Sequence, residues 1–431
     1  MVKLILERVF FIIYDIIFFF GLILYLPLYF WRKKINLRAL IEKLGFIGSK
    51  TSKDAIWIQV VSVGEVNLIE NLLKRLKEVY DYPIVVSTTT LTGNRVAIKK
   101  YSSIAKVIFF PFDISLIIQK VIKAIKPKIF IAVETEVWPN LFYHLEKKNI
   151  PIVIINGRIS DKAFDRYKSF KLFMKKFINK CDYIGVQNKI YKERFSFLGA
   201  NPDKLITSGN MKFESIAVDQ ERLLRIKNTY TSALKRENRL VIIAASTHSP
   251  EEKMVMDTYK DIFTKERLLS LVIAPRHPQR VGLVEKIITS QGFNPVRVSK
   301  FFSSPHSKRS VFILDTVGDL LYFYSIADIC FLGGSLIPCG GHNILEPIYF
   351  LKPTLFGPYM DNFKDIESIV LEKKAGLRVD NQEELKQSLL RLIKDDDSRS
   401  NLRNRCLEVF EKEKSSLDHN LEIIVKCITS K

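Results

Sequence analysis

Residues 333–347 read Gly-Gly-Ser-Leu-Ile-Pro-Cys-Gly-Gly-His-Asn-Ile-Leu-Glu-Pro, and their types and spacing suit a nucleotide or sugar phosphate. Two glycine pairs let the backbone approach a ligand closely. They follow an apolar run, 327–332, that reads as a buried strand. His342 and Asn343 precede a predicted helix start, whose unpaired N–H groups and partial positive charge attract an anion. Glu346, in the first turn, suits hydroxyl groups beside that anion. Glycine-rich turns also serve as plain connectors in α/β proteins, so the loop alone leaves both readings open.

Four further segments carry reactive side chains. Ile58-Gln59-Val60-Val61-Ser62-Val63-Gly64-Glu65-Val66 reads as a strand running into a glycine turn that opens a helix. Glu65 then stands at the strand edge, where a helix N-terminus is expected to hold its carboxylate ionised. It is a general base or a helix-capping glutamate. Glu134-Thr135-Glu136-Val137-Trp138-Pro139-Asn140 places two carboxylates at i and i+2. They share a face if the chain stays extended and diverge if a helix begins there. They suit the positioning of an acceptor hydroxyl, and the absence of a matching His/Asp set nearby argues against a metal. Lys212, in Ser208-Gly209-Asn210-Met211-Lys212-Phe213, balances a carboxylate or phosphate, or is simply solvated. Ala274-Pro275-Arg276-His277-Pro278-Gln279-Arg280 offers arginine forks for phosphate in a proline-fixed loop. His248 serves the same anion or a structural role.

These segments need strands to hold them. Short β-rich runs at 55–61, 83–87, 106–110, 128–133, 152–155 and 183–186 alternate with longer amphipathic stretches. A second series runs through 240–245, 271–274, 295–298, 311–314, 327–332 and 353–356. Between them, 213–239 is polar and helix-compatible, and 382–431 reads as helical throughout. The pattern predicts α/β architecture in four parts: 1–35 as a hydrophobic anchor, 36–215 as a first domain, 216–238 as a linker and 239–431 as a second domain. Ligands of open α/β sheets bind beyond the strands' carboxyl ends, so the reactive segments are expected to converge on a central cleft.

Charge and composition narrow the partners. Five cysteines without a CxxC pair argue against a disulfide framework or a zinc site. Of the net +21, residues 1–215 carry +17, from 35 Lys+Arg against 18 Asp+Glu, which points to a polyanionic partner. Residues 9–30 are almost wholly apolar, broken by Asp15, Gly21 and Pro27, and Arg32, Lys33, Lys34 and Arg38 follow. As a helix this run is roughly 33 Å long, about one hydrocarbon thickness. The predicted anchor spans or lies in an anionic membrane surface with everything after it in the cytoplasm. Asp15 would be costly at mid-bilayer. From 164 to 180, aromatic residues at helical spacing alternate with lysines, which reads as a core stripe with a basic face.

Taken together, the chain resembles the 3-deoxy-D-manno-octulosonic acid (Kdo) transferases of lipopolysaccharide assembly over nearly its whole length. The resemblance rests on Val61-Ser62-Val63-Gly64-Glu65, Glu134-Thr135-Glu136-Val137-Trp138-Pro139-Asn140, Gly157-Arg158-Ile159-Ser160, Met211-Lys212-Phe213, Pro275-Arg276-His277-Pro278 and Gly340-Gly341-His342-Asn343-Ile344-Leu345-Glu346-Pro347. It implies an inverting, metal-independent glycosyltransferase of the GT-B type, with two Rossmann-like domains and no cofactor. The implied donor is CMP-Kdo, and the acceptor is a phosphorylated lipid A precursor (lipid IVA) at the cytoplasmic side of the inner membrane. On the family pattern Glu65 is the base, and Glu134 and Lys212 support the transition state. Pro275, Arg276, Gly318, Asp319, Leu320, Asn343, Ile344, Leu345 and Glu346 match nucleotide-binding positions. Ile344 stands where the family commonly has proline, and Asp319 where it has glutamate. A GT-B enzyme using a UDP-sugar is the alternative. Binding of nucleic acid is disfavoured by scattered basic residues without a recognition motif.

Overall fold

The computed structural model describes residues 2–32, 36–48, 54–216, 218–263, 269–304 and 306–429. The chain divides into two compact units, Met1–Ser215 with Glu413–Lys431, and Ile216–Lys412.

The first unit is built on β1 (Ala55–Val60), β2 (Ile84–Thr88), β3 (Lys106–Phe109), β4 (Pro127–Val133), β5 (Ile152–Gly157), β6 (Tyr183–Val186) and β7 (Leu205–Thr207). They form one parallel sheet in the order β3-β2-β1-β4-β5-β6-β7. Helices cover both faces, so strands such as β1 and β5 are buried along their whole length and read as apolar runs without alternation. Successive residues feed opposite cores. Ala55, Trp57 and Phe130 face one layer, while Ile56, Ile58 and Ile131 face the other. The winding direction reverses between β1 and β4, which opens a crevice at their carboxyl ends.

The second unit follows the same plan with β8 (Leu240–Thr247), β9 (Leu269–Pro275), β10 (Asn294–Arg297), β11 (Ser310–Ile313), β12 (Ile329–Leu332), β13 (Thr354–Phe356) and β14 (Leu377–Arg378). Its parallel order is β10-β11-β9-β8-β12-β13-β14, with the reversal between β8 and β12.

Two boundary expectations change. Residues 216–238 are not a free linker: helix Gln220–Leu234 buries Ile226 and Leu234, and Ser270 Oγ donates to the Leu234 carbonyl at 2.6 Å. The second domain does not run to the end of the chain. Helix Ser416–Thr429 packs on β4, β5 and β6 of the first unit. Glu214 Oε1 fixes its start by accepting from Ser416 Oγ at 2.7 Å and Leu417 N at 2.8 Å. Asn420 Oδ1 accepts from Ser208 Oγ at 3.1 Å, in a space that a side chain on Gly185 would fill.

The N-terminal run is expected to span a membrane or to lie in its surface. Among the described residues no helix is long and apolar enough to cross a membrane. Helix Val2–Arg32 instead lays one flank on the first unit, where Phe11 is buried against Tyr143 and Phe177. Asp15 Oδ1 accepts from Ser115 N at 3.1 Å and Asn140 Nδ2 at 2.8 Å, so its carboxylate faces protein. Tyr14 donates to Asp113, which also caps Asn140 and Leu141 at the start of helix Pro139–Lys147. The helix leaves Ile13, Ile16, Ile17, Phe20 and Leu24 exposed. Lys33 and Lys34 of the basic cluster lie outside the described residues.

Candidate functional site: carboxylates at one sheet reversal, histidines at the other

Glu65 sits where β1 passes into helix Val63–Leu68. Ser62 Oγ accepts from Glu65 N at 3.5 Å, while the Glu65 carboxylate accepts from Val61 N at 2.7 Å and Ser62 Oγ at 3.2 Å. This reciprocal pattern resembles a capping box, so the capping reading holds locally. The same carboxyl lines a cavity of about 320 Å³ with Glu134, Thr135, Glu136, Arg158 and Tyr167. Capping and a place in a site therefore coexist.

The expectation that Glu65 is held ionised is overturned. Burial, and then the charge of Glu134, push its carboxyl up to about 8, against the pull of the Val61 amide. A helix of six residues offers too little field to offset the lost hydration.

Glu134 follows β4 with φ at +62°, a left-handed conformation that few side-chain-bearing residues adopt. Holding it there costs about 1 kcal/mol or more, and such strain persists where the surroundings over-determine it. Its carboxylate stands 3.9 Å from Lys212 Nζ. Both groups are partly exposed, so the pair adds little stability and chiefly supplies a positive charge beside the acids. Lys212 is placed by the short helix Met211–Glu214, whose start is fixed by Asn210 and by Asn156 Oδ1 accepting from Met211 N at 3.0 Å.

Glu136 accepts from Trp138 Nε1 at 3.0 Å, and burial pushes it up to about 7. The Gln59 amide also bonds to it. Gln59 in turn accepts from Ser87 Oγ at 2.5 Å and donates to Thr89 Oγ1 at 3.0 Å, and Trp57 Nε1 donates to Ser87 Oγ at 2.8 Å. This polar network crosses an otherwise apolar sheet. Gln59 and Ser87 went unmarked in the sequence, although each is a polar interruption of a buried run.

In the second unit the reversal between β8 and β12 gathers a different set. His248 Nε2 and His342 Nε2 lie 3.0 Å apart with their rings nearly parallel, and His277 meets His248 edge-on. Burial, the facing imidazole and Arg276 hold His342 down at about 4, so the pair is neutral near pH 7. Glu251, also missed in the sequence, is wholly buried and clamps the first glycine turn. Its carboxylate accepts from Gly334 N at 2.6 Å, Ser335 N at 3.1 Å, Leu336 N at 3.0 Å and His248 N at 3.0 Å. Gly334 has φ at +64°, and an added Cβ would come within 3.0 Å of the His342 ring.

The remaining expected residues occupy the same carboxyl edge of this sheet. Pro275 ends β9, and Arg276 N donates to the Thr247 carbonyl at 3.0 Å. Gly318 and Asp319 precede helix Leu320–Phe323, beyond β11. The Asp319 carboxylate is engaged by Arg222, at 2.6 and 3.0 Å, and its carbonyl accepts from Tyr322 N at 2.9 Å and Phe323 N at 3.0 Å. Asn343 donates to Glu346 Oε1 at 3.1 Å and accepts from Leu345 N at 3.2 Å, with Ile344 and Leu345 buried at the helix start. Burial raises the Glu346 carboxyl.

Two parallel-sheet α/β domains, each with its reactive loops at the point where strand order reverses, define a GT-B-like architecture. A glycosyltransferase structure from Rickettsia africae shares this fold, with a TM-score of 0.54 at 16% identity over 88% of this chain and 99% of that one. Residues 38–215 match the family model described as 3-Deoxy-D-manno-octulosonic-acid transferase (kdotransferase). The 3-deoxy-D-manno-octulosonic acid transferase of Haemophilus influenzae is 32% identical over 391 residues, covering 89% of this chain and 90% of that protein. A bifunctional glycosyltransferase/methyltransferase of Fusobacterium nucleatum is 37% identical over 355 residues, covering 80% of this chain. The chain spans about half, 54%, of that relative's length. The chain belongs to the 3-deoxy-D-manno-octulosonic acid transferase family and is an enzyme of that class.

Proposed function

We propose that this enzyme transfers Kdo from CMP-Kdo to a phosphorylated lipid A precursor, lipid IVA, with inversion at the anomeric carbon. The observation that carries the reading is the Glu65 carboxyl, buried beside Glu134 and poised at about 8. A general base works best when its affinity for the proton lies near the working pH. Ionised Glu65 would take the proton of an acceptor hydroxyl. The freed oxygen pair would form the new glycosidic bond, and the bond from Kdo to phosphate would break with its electrons leaving on CMP. Lys212, steadied by Glu134, would offset charge developing near the acceptor. Arg276, the backbone at 318–320 and the segment 343–346 would hold the CMP, so no metal is required by this route.

The acceptor half of the reading is supported by the exposed apolar face of helix Val2–Arg32 and by the excess positive charge of residues 1–215. Together they suit the cytoplasmic face of an anionic inner membrane. The test is incubation of the purified chain with CMP-Kdo and lipid IVA, followed by mass spectrometry of the lipid. A lipid carrying added Kdo is expected. Unmodified lipid from folded protein, together with thermal stabilisation by UDP-sugars and none by CMP, would move the assignment to a UDP-sugar enzyme.

A further inference from the structure

We propose that the apolar pocket between Phe18, Gly21 and Leu22 on one side and Phe110, Phe112 and Trp138 on the other receives a single acyl chain of the phosphorylated lipid acceptor. This inference rests on the lipid-acceptor reading above and lies wholly within the first unit.

The pocket holds about 370 Å³ and is lined mainly by apolar side chains. That volume is at the small end for ligand pockets, about 300–1,000 Å³, which fits one chain better than several. One wall is the inner flank of helix Val2–Arg32, and the outer face of the same helix is exposed and apolar. A chain leaving a lipid surface would therefore meet apolar contact along its path. Gly21 opens the wall, since a Cβ built there meets nothing within 4 Å.

The opposite wall is tied to the carboxylate cavity by hydrogen bonds to Glu136. Trp138 forms part of the pocket and packs on Phe110 at 4.8 Å between ring centroids, while its N–H holds Glu136. Thr89, also in the lining, accepts from the Gln59 amide that contacts the same glutamate. An occupant that fills the apolar side and reaches the acids must join a hydrocarbon chain to a hydroxyl-bearing head. Lys43 and the buried Asp113 both line the pocket, so its charge is mixed and its apolar side chains set what it takes. An acylated sugar meets both demands.

The binding test uses lysophosphatidic acid brominated at mid-chain as a tryptophan quencher. The chain has three tryptophans. A Trp31→Phe background leaves Trp138 and the fully buried Trp57. Saturable quenching is expected, lost when Trp138→Phe removes the reporter and lost when Gly21→Phe fills the pocket, with Gly21→Leu as a milder filling. Quenching that is absent, or undiminished in the filled variants, would overturn the proposal. In turnover, Gly21→Phe is expected to raise KM for lipid IVA at least 10-fold with kcat kept, and to leave a fully deacylated acceptor unaffected. Equal effects on both acceptors would contradict chain binding. Transfer without quenching defeats this inference alone, whereas quenching without any transfer by the unmodified enzyme defeats the Kdo-transfer reading.

Discussion

The Val61 amide donates to Glu65 Oε2 at 2.7 Å, yet the Glu65 carboxyl still rises to about 8. Burial and the neighbouring Glu134 charge outweigh the bond. Transfer should therefore climb with pH through about 8, as the ionised base becomes populated. Glu134→Gln removes the like charge that raises Glu65, so the limb should move to lower pH even as the maximal rate falls. The pH profile of kcat/KM checks this, and a limb unmoved by Glu134→Gln would detach the two residues.

The same shift has a consequence for stability. From about 4.5 to about 8 the folded protein keeps a proton on Glu65 that the unfolded chain has released. That contribution is full below the lower value and fades as pH rises through the upper one. Glu65→Gln, permanently neutral, should be more stable than the native chain above pH 8, on the order of 2–4 kcal/mol. Chemical denaturation at pH 6 and pH 9 measures the difference, which should be larger at pH 9.

Glu251 gathers four backbone amides from two loops of the second unit. Glu251→Gln loses acceptance on one side of the carboxyl and leaves buried N–H groups unpaired, a penalty of about 2–4 kcal/mol. The glycine turn should loosen, with donor KM rising more than kcat falls. Differential scanning calorimetry and initial-rate kinetics at varied donor concentration test both halves.

Much of this was legible in the chain. Parallel strands buried on both faces leave unbroken apolar runs, so β1 to β6 and β8 to β13 were readable, and the reactive segments fell at their carboxyl ends. Leu205–Thr207 and Leu377–Arg378 escaped because three- and two-residue edge strands carry no period. The return of helix Ser416–Thr429 to the first unit escaped for another reason. Amphipathic spacing says that a helix covers a core, and only Glu214 and Asn420 say which one. Glu251 escaped notice because three of its four amide partners lie 83 to 85 positions away. The ionisation of Glu65 was misread since a sequence displays the helix start but not the burial.

Asp15 ties the N-terminal helix to Ser115 and Asn140. Asp15→Ala strips two bonds to a charged group, about 1.5–3 kcal/mol each at most, from a helix whose other face has no partner among the described residues. Amide exchange across residues 10–20 should accelerate in that variant while the sheet of the first unit keeps its protection. Unchanged exchange would mean that Phe11 and its aromatic neighbours suffice to dock the helix.

The most direct test is the single-turnover rate of Kdo transfer from CMP-Kdo to lipid IVA by Glu65→Gln beside the native enzyme. Removing a general base should lower that rate roughly 10²–10⁴-fold, with donor affinity and the native fold retained. A variant that transfers Kdo at close to the native rate would show that another group takes the proton.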